Sequence, residues 1–322
     1  MARKAVVVGS GPNGLAAAIT LARAGLDVVV HEASERLGGG MRTEELTLPG
    51  FRHDVCSAIH PLGRASSGFR ELELDVEWLE SPACVAHPFD DEEAALLVRS
   101  VDETAAGLGA DAEAYRSLVG PIAQSWHSVE QVLLAPLPLD PRAPLRLVQE
   151  LGLARSARTL RAALGPARAV AERVFSTERG RGLFAGNAAH SMLPLERRPS
   201  SAFALALLVL GHTVGWPFVR GGSQTLADAL ADCLRASGGE IRTSSPVDEL
   251  PRADVVLCDV SPRELLRLAG ARVPERYARG LGRFRHGPGA FKLDWALAGP
   301  IPWRDERCAE AATVHLGGSL DE

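Results

Sequence analysis

The chain is nearly free of lysine. Its 322 residues include 35 basic side chains, but lysine occurs only at Lys4 and Lys292, so the other 33 (35 − 2) are arginine. The net charge of −5 gives no indication of a nucleic-acid partner. Lysine is a compact charge that can lose its proton on burial, whereas arginine is a permanently charged planar fork. Lys292, in the stretch "GPGAFKLDWALAGPIPW", is therefore unusual for this chain.

Cysteine is also scarce and irregularly spaced. The five cysteines form no CxxC pair, and their odd number argues against a set of structural disulfides. The same spacing disfavours a cysteine zinc site and a disulfide reductase. The sequence also contains no GxSxG and no HExxH, which are the motifs of a nucleophile elbow and of a zinc protease. We therefore expect no metal and no catalytic triad.

No apolar run is long enough to span a membrane. The longest, "AFALALLVLG" at 202–211, falls short of the roughly 20 residues required, and predicts a buried helix or the wall of an apolar pocket. Residues 1–4 lead directly into an apolar strand, so we expect no signal peptide. We expect a cytoplasmic protein, free or at the periphery of a membrane. Arginines crowd residues 155–181, which we interpret as the solvated face of one or two helices.

The start of the chain has a β-α-β pattern. Residues 4–8 form an apolar strand, a helix follows and ends at Gly25, and residues 27–33 form a second strand. Short links between such elements predict a parallel sheet. After residue 221 the pattern returns, with a helix that ends at Gly238-Gly239, short strands "EIRTSS" and "PVDEL", and an apolar strand "ADVVLCDV". Ser261 is a candidate N-cap for the next helix.

Between these two α/β segments the sequence has mainly helical patterns. Residues 91–106 and 111–134 have helical patterns, and a proline-rich link follows at 135–144. We predict an α/β protein in which a helical domain is inserted into a discontinuous dinucleotide-binding domain. The predicted boundaries are 1–70 plus 217–270 for the dinucleotide domain, and 71–216 plus 271–322 for the substrate domain.

The turn after the first strand carries a phosphate-binding signature. Gly9, Gly11 and Gly14 match GxGxxG between a predicted strand and a predicted helix. The first glycine allows the turn, the second lets the backbone approach a pyrophosphate, and the third packs the helix on the strand. Glu32 ends the second strand, 18 residues after Gly14, where a carboxylate binds ribose hydroxyls.

The segment after Glu32 favours FAD over NAD. "ERLGGGMRT" supplies a glycine run at 38–40 between Arg36 and Arg42. A plain NAD-binding unit continues into another helix, whereas a glycine run lets more backbone amides reach a large cofactor. The two arginines can meet phosphate charge.

The sequence resembles the phytoene desaturase-related FAD oxidoreductases, which belong to the wider group that includes the flavin amine oxidases. The resemblance is carried by "GSGPNG", "HEASERLGGGMRT" and "LPGFRHDVCSAIHP", and later by "PFVRGGSQTLADALADCLRASGGEIRTSSPVDEL" and "GAFKLDWALAGPIPW". It is weakest across 71–180. It implies a Rossmann-like FAD domain of the glutathione reductase and amine oxidase type with an inserted, largely helical substrate domain.

The resemblance also assigns residues to the cofactor. FAD would be lined by Gly9, Gly11, Pro12, Asn13, Gly14, Glu32, Ala33, Arg36, Gly39, Gly40, Met41 and Arg42, and Val247 would place its backbone against the adenine. Members of the family continue into a glycine-rich segment that covers the flavin. Nothing in residues 1–322 resembles that segment, so we expect a truncated chain whose retention of FAD is in question.

The substrate would be a small, hydrophobic molecule. His60 follows the flavin motif, and His212 and Trp216 lie just beyond the apolar run 202–211. His190 precedes that run. Such side chains could wall a site for an apolar substrate, and the alternative is ordinary core with satisfied histidines.

Lys292 has a role by the same resemblance. Its stretch is similar to the one in flavin amine oxidases whose lysine lies near flavin N5, on a strand. The alternative is a strand residue that extends its ammonium group to solvent. The chain is expected to be an FAD-dependent oxidoreductase that removes hydride from an apolar or amine-bearing molecule. A flavin-binding protein without turnover and an NAD-dependent dehydrogenase are the alternatives, and the oligomeric state is not predicted.

Overall fold

The computed structural model describes residues 2–134 and 140–322. The chain divides into two compact units, and each is interrupted in sequence. The first unit comprises Met1–Ala58, Gly68–Trp78 and Phe218–Ala296, and the second comprises Ile59–Ser67, Leu79–Pro217 and Leu297–Glu322. The functional division of the chain into dinucleotide and substrate domains stays a prediction.

The first unit is built on a four-stranded parallel sheet. Its strands are β1 (Lys4–Val8), β2 (Asp27–His31), β9 (Glu240–Arg242) and β10 (Val255–Cys258), in the order β10-β1-β2-β9. β1 is central and pairs with β10 and β2, Val7 lying opposite both Leu257 and Val30. Its β-branched residues suit a strand that is covered on both faces. The remaining short strands of this part of the chain are β3 (Thr43–Glu44), β4 (His53–Asp54) and β8 (Phe218–Val219).

Helices α1 (Pro12–Arg23) and α12 (Ser223–Ala236) cover this sheet. Their apolar side chains form one core with the strands, which includes Leu15, Ile19 and Leu230, all fully buried. α1 ends at Arg23, and the predicted stop residue Gly25 follows two residues later with φ +83°. α13 (Pro262–Ala269) begins at the predicted cap, where Ser261 Oγ accepts the Glu264 N–H at 3.3 Å. α14 (Glu275–Gly282) follows.

The second unit is largely helical and also contains a small sheet. β6 (Ala83–His87) is its central strand, parallel to β11 (Ala311–Val314) and antiparallel to β7 (Ala95–Val98). Its helices are α2 (Pro61–Ala65), α4 (Val101–Gly107), α5 (Ala112–Gln124), α6 (Trp126–Leu133), α7 (Ala143–Leu151), α8 (Leu153–Ala163), α9 (Ala167–Val174), α10 (Glu178–Ala189) and α11 (Ser200–Thr213). α11 contains the predicted apolar run and is buried. No helix within residues 2–134 or 140–322 has the length and apolarity that a membrane crossing requires.

Two short elements lie where the chain passes between units: α3 (Ser67–Arg70) and β5 (Trp78–Leu79). Single 3₁₀ turns complete the structure at Gly39–Met41, Gly109–Asp111, Gly270–Arg272 and Glu306–Glu310.

Three local predictions were wrong. The stretch 91–106 is not all helical, because residues 95–98 pair with β6 as strand β7, in which Ala95 and Leu97 face the core. The segment "PVDEL", 246–250, forms no strand, since the backbone of Val247 and Leu250 bonds to the α13 side of the unit instead. No strand forms around Lys292 either: residues 285–297 have no regular structure. The predicted link 135–144 lies partly outside the described residues, and α7 begins within it at Ala143.

Candidate dinucleotide site

Three adjacent parallel strands end at one cavity. Gly9 follows β1, Glu32 follows β2 and Asp259 follows β10, and all three residues line a cavity of about 340 Å³. The carboxyl ends of parallel strands are where open α/β sheets bind ligands. The volume lies in the range of roughly 300–1,000 Å³ that ligand clefts occupy. The sheet order therefore assembles the site from residues far apart in sequence.

The glycine turn is held by tight backbone packing. Gly9 has φ +101°, a conformation that favours glycine, and its N–H donates to the His31 carbonyl at 2.8 Å. A Cβ placed on Gly14 would lie 2.4 Å from the Gly9 carbonyl oxygen. One placed on Gly11 would lie 2.8 Å from Asp259 Oδ2. Only glycine at these positions lets α1 start so close to β1 and β10.

Asp259 caps helix α1 from outside the helix. Its Oδ2 accepts the Gly14 N–H at 2.9 Å. The first N–H groups of a helix have no partner within the helix, and Gly11 at the N-cap position offers no side chain. The carboxylate thereby fixes the direction of the N-terminus of α1 and satisfies one of its free donors.

Glu32 is fixed by three hydrogen bonds. Its carboxylate accepts the Ser10 N–H at 3.0 Å, the Ser10 Oγ–H at 2.6 Å and the Ser34 N–H at 2.8 Å. Burial raises the pKa of Glu32, but the hydrogen bonds from Ser10 and Ser34 outweigh burial and hold its pKa below the usual value. Glu32 is therefore an oriented, ionised acceptor at the cavity wall, and its remaining lone pairs can accept further hydroxyl donors.

The opposite wall is organised by Arg267. Its guanidinium donates to the Val247 carbonyl at 2.9 Å and to Glu264 Oε1 at 2.7 Å. Nearby, the His31 ring lies 2.8 Å from Ser245 Oγ through Nδ1. Burial lowers the pKa of His31, with a further contribution from Arg242. These bonds hold the loop before β10 against the end of β2.

The cavity is lined by six of the residues that the resemblance assigned to the cofactor: Gly9, Gly11, Glu32, Ala33, Gly39 and Val247. The others lie elsewhere. Gly14 and Met41 are buried in the unit, and Met41 joins the core. Arg42 donates from Nε to the Gly39 carbonyl at 3.1 Å and pairs with Glu44 at 3.6 Å. The remaining ones line no part of this cavity: Pro12, Asn13, Arg36 and Gly40.

Sequence reasoning missed Ser10, Asp259 and Arg267. A signal existed for Asp259, because it directly follows the predicted strand "ADVVLCDV" and parallel strands share a functional edge. Ser10 lies inside the glycine motif at a position that the motif leaves free. Arg267 is on a helix, and its position opposite Val247 depends on tertiary packing alone.

Lys292 lies in the first unit but outside the lining of this cavity. Its ammonium group pairs with Asp294, and Asp294 Oδ1 is 3.6 Å from His53 Nδ1. The Lys292 side chain is exposed, and its ammonium group is paired with Asp294. Its predicted position near flavin N5 stays a prediction.

The predicted substrate residues lie in the second unit. His60 is buried. His212 Nε2 lies 2.6 Å from the Tyr115 hydroxyl, and its Nδ1 lies 3.2 Å from the Arg99 carbonyl. Burial lowers the pKa of His212. Trp216 is buried and donates from Nε1 to the Leu207 carbonyl at 3.3 Å.

Trp216 belongs to a histidine cluster that sequence reasoning found only in part. His190 contacts the indole edge-on with ring centroids 5.6 Å apart, and its Nε2 lies 2.9 Å from His315 Nε2. His87 completes the cluster, 6.4 Å from His315 between ring centroids. Burial lowers the pKa of all three histidines, that of His315 to about 3, where nearby His190 and His87 add to the effect. Within the part of the chain that the structure describes, no group of His, Cys, Asp or Glu forms a metal site.

Comparison with known proteins agrees with this architecture. Residues 7–72 match the NAD(P)-binding Rossmann-like domain family. Pyridine nucleotide-disulfide oxidoreductase domain-containing protein 2 of Rattus norvegicus is 29% identical over 76% of this chain and 47% of its own length. Hydroxysqualene dehydroxylase of Rhodopseudomonas palustris is 56% identical over 24% of each chain. The chain thus spans about half the length of the first of these relatives.

The fold is also similar to solved oxidoreductases. Putrescine oxidase bound to putrescine superposes with a TM-score of 0.53 at 18% identity, over 88% of this chain and 63% of that one. The predicted fold class, a Rossmann-like domain of the amine oxidase type, is confirmed. The similarity to hydroxysqualene dehydroxylase agrees with the resemblance to the phytoene desaturase-related oxidoreductases, and the likeness to putrescine oxidase is one of fold.

Proposed function

We propose that this protein, an oxidoreductase by its similarities, binds FAD and removes hydride from an apolar or amine-bearing small molecule. The observation that carries the proposal is the cavity where β1, β2 and β10 end together. There the glycine turn, an ionised Glu32 and the backbone of Val247 converge. A dinucleotide requires these three elements: a close backbone turn for the pyrophosphate, an acceptor for the ribose and a polar edge for the base.

The residues present fit an adenine dinucleotide. Gly9 and Gly11 bring backbone without a Cβ to the cavity wall beside the N-terminal end of α1, where Asp259 accepts the Gly14 N–H. Glu32 has lone pairs that can accept the ribose hydroxyls, and Val247 lines the same cavity while its carbonyl accepts a hydrogen bond from Arg267. The glycine run is a further feature, because Gly39 lines the cavity and Gly38 and Gly39 have φ +111° and +56°. Their backbone follows a path that other residues rarely adopt.

Bound FAD would supply the acceptor for the substrate hydride. The protein's part is to bind and orient that cofactor, to present the substrate to it and to exclude water. In the first unit the glycine turn, Glu32 and the loop held by Arg267 would bind and orient the cofactor. Since fold alone does not determine function, the reaction must be tested on the chain itself.

An apolar or amine-bearing substrate is supported by two similarities. One relative is named a hydroxysqualene dehydroxylase and one structural neighbour a putrescine oxidase bound to putrescine. The helix α11 supplies an apolar environment in the second unit, with Leu205, Leu208 and Val209 buried. Trp216 and the neighbouring histidines add polar edges beside it.

The cofactor is tested by its release. We expect purified protein to be yellow, or to become yellow on addition of FAD, and to release FAD on denaturation. Protein that takes up no FAD but binds NADH would overturn the proposal in favour of an NAD-dependent dehydrogenase. Anaerobic bleaching of bound flavin by hydrophobic alcohols or amines then separates an enzyme from a flavin-binding protein without turnover.

The change Glu32→Ala should weaken FAD retention by about 10- to 100-fold, because hydrogen bonds to charged acceptors contribute about 1.5–3 kcal/mol. The measurement is the FAD dissociation constant, obtained by fluorescence titration of apoprotein. Glu35→Ala removes an exposed carboxylate three residues away and should change nothing. The variant also loses the hydrogen bonds that Ser10 and Ser34 donate to Glu32. Urea unfolding of the apoprotein measures how far this loss destabilises the fold, so that it is not mistaken for weaker FAD binding. Unchanged FAD affinity in Glu32→Ala would refute the ribose role.

The change Lys292→Met should slow the oxidation of reduced flavin by oxygen by at least about tenfold. A fixed charge that stabilises developing charge has effects of this size or larger. The measurement is stopped-flow reoxidation of photoreduced protein. Asp294→Asn is the matched variant, because it removes the partner of the ammonium group and keeps the lysine. An unaltered oxygen reaction in Lys292→Met would count against a place near N5.

A further inference from the structure

The carboxylate of Asp259 occupies the anion-binding end of helix α1. Its Oδ2 accepts the Gly14 N–H at 2.9 Å, and a Cβ placed on Gly11 would lie 2.8 Å from the same oxygen. The first N–H groups of a helix carry partial positive charge, and proteins bind phosphates there. Gly11 and Asp259 both line the cavity at the ends of β1, β2 and β10. A negative charge of the protein itself therefore lies where the glycine turn would receive a pyrophosphate.

Asp259 differs from the two other carboxylates that line this cavity. Glu32 accepts three hydrogen bonds, and Glu264 pairs with Arg267 at 2.7 Å. In the part of the chain that the structure describes, the Asp259 side chain has no partner besides Gly14 and no cation within ion-pair distance. Arg267 is the one arginine in the cavity lining, so carboxylates outnumber cations there. This balance of charge opposes a pyrophosphate, which is itself an anion.

The main chain of Asp259 is held in place, whereas its side chain is free to turn. The Asp259 N–H donates to the Val8 carbonyl at 2.8 Å, and a Cβ placed on Gly9 would lie 2.5 Å from the Asp259 carbonyl oxygen. The residue is half-buried at the cavity wall. Rotation about its Cα–Cβ bond would break one hydrogen bond, that from Gly14, and would not move β10. The carboxylate can thus leave the end of α1 while the sheet and the glycine turn stay where they are.

We propose that Asp259 takes the place of the pyrophosphate in the cofactor-free protein and thereby sets the affinity of the dinucleotide site. The role rests on the proposed function, because it requires a ligand with a pyrophosphate. Without ligand, the carboxylate satisfies the Gly14 N–H and caps α1. When a pyrophosphate enters, its oxygens replace the carboxylate as acceptors and the Asp259 side chain turns away. The site keeps its helix capped in both states and binds the dinucleotide more weakly than the glycine turn alone would, because the two anions repel.

The test is calorimetric titration of the apoprotein with ADP and with adenosine, which differ only in the diphosphate. Asp259→Asn removes the charge and keeps an oxygen that can accept the Gly14 N–H. It should tighten ADP binding by at least about fivefold, which is the effect of one unit charge on another about 4 Å away in bulk water. Adenosine binding should not change. The gain for ADP should shrink as salt is added, because salt screens the repulsion.

Asp254→Asn is the matched control. Asp254 lies at the other end of β10, away from the cavity, and also accepts a backbone N–H, that of Lys4 at 2.8 Å. The same charge is removed, so both affinities should equal those of the wild type.

Two results would overturn this role of Asp259: an Asn variant that binds ADP no more tightly than the wild type, and one that gains equally for adenosine. Asp259→Ala should also gain affinity for ADP but unfold at lower urea, since α1 loses its cap. FAD should follow ADP. If ADP gains while FAD binds to neither protein, FAD is refuted as the cofactor and the role of Asp259 stands. If neither nucleotide binds to any of these proteins, the proposed function and the role of Asp259 fail together.

Discussion

Replacement of Gly14 by alanine should abolish dinucleotide binding and lower the free energy of unfolding by about 1–3 kcal/mol, as inserted methyl groups do in tightly packed sites. The added Cβ would lie 2.4 Å from the Gly9 carbonyl oxygen and 3.1 Å from Asp259 Cβ. Neither neighbour is the end of a flexible side chain, so α1 must move away from β1. That movement lengthens the bond from the Gly14 N–H to Asp259, and it displaces the turn that would hold the pyrophosphate.

The experiment compares FAD content and urea unfolding of apoprotein for the variant and the wild type. Gly280→Ala is the control, because an added Cβ at that position in α14 meets no atom within 4 Å. In a helix interior that change should be neutral or stabilise by up to about 1 kcal/mol. If Gly14→Ala retained FAD and unfolded like the wild type, the tight turn would not be a binding element.

The dinucleotide site could be predicted where chemistry follows local sequence. Gly9, Gly11 and Glu32 lie at fixed spacing in one β-α-β unit, and short links force them to one edge of the sheet. Gly25 and Ser261 were predictable for the same reason, because caps act within a few residues. Local pattern carries this information without knowledge of the rest of the chain.

What the sequence did not reveal depends on contacts between distant segments. Asp259 reaches Gly14 across 245 positions of sequence. The helical pattern predicted over 91–106 fails at residues 95–98, because pairing with β6 gives β7 an extended conformation that its own composition does not require. Leu153 and Leu160 of α8 are seven positions apart, which places them on one face of the helix, and only the structure shows that this face is exposed. Spacing gives the width of an apolar stripe but not the side on which the protein lies.

Acid should destabilise this protein between pH 6.5 and about 3 through the histidine cluster of the second unit. The pKa of His315 is lowered from 6.5 to about 3, first by burial and then by His190 and His87. Its ring nitrogen Nδ1 is buried without a partner among the described residues. Below pH 6.5 the unfolded chain takes up a proton at this position, whereas the folded chain does not until about pH 3. The stability is therefore complete above pH 6.5 and is lost as the pH falls through this window.

Each such histidine makes the free energy of unfolding fall by up to about 1.4 kcal/mol per pH unit. His315→Leu should flatten that slope by up to this amount between pH 6 and 5, measured by urea unfolding at closely spaced pH values. This interval lies above the range in which most carboxylates titrate. The stability that is lost when carboxylates such as Asp111 are protonated therefore does not contribute to the measured slope. His286→Leu removes an exposed histidine from the first unit and is the matched control. If His315→Leu and the wild type had equal slopes, the cluster would accept protons in the folded state, for instance by opening toward solvent. Packing against Trp216 would then not keep His315 neutral.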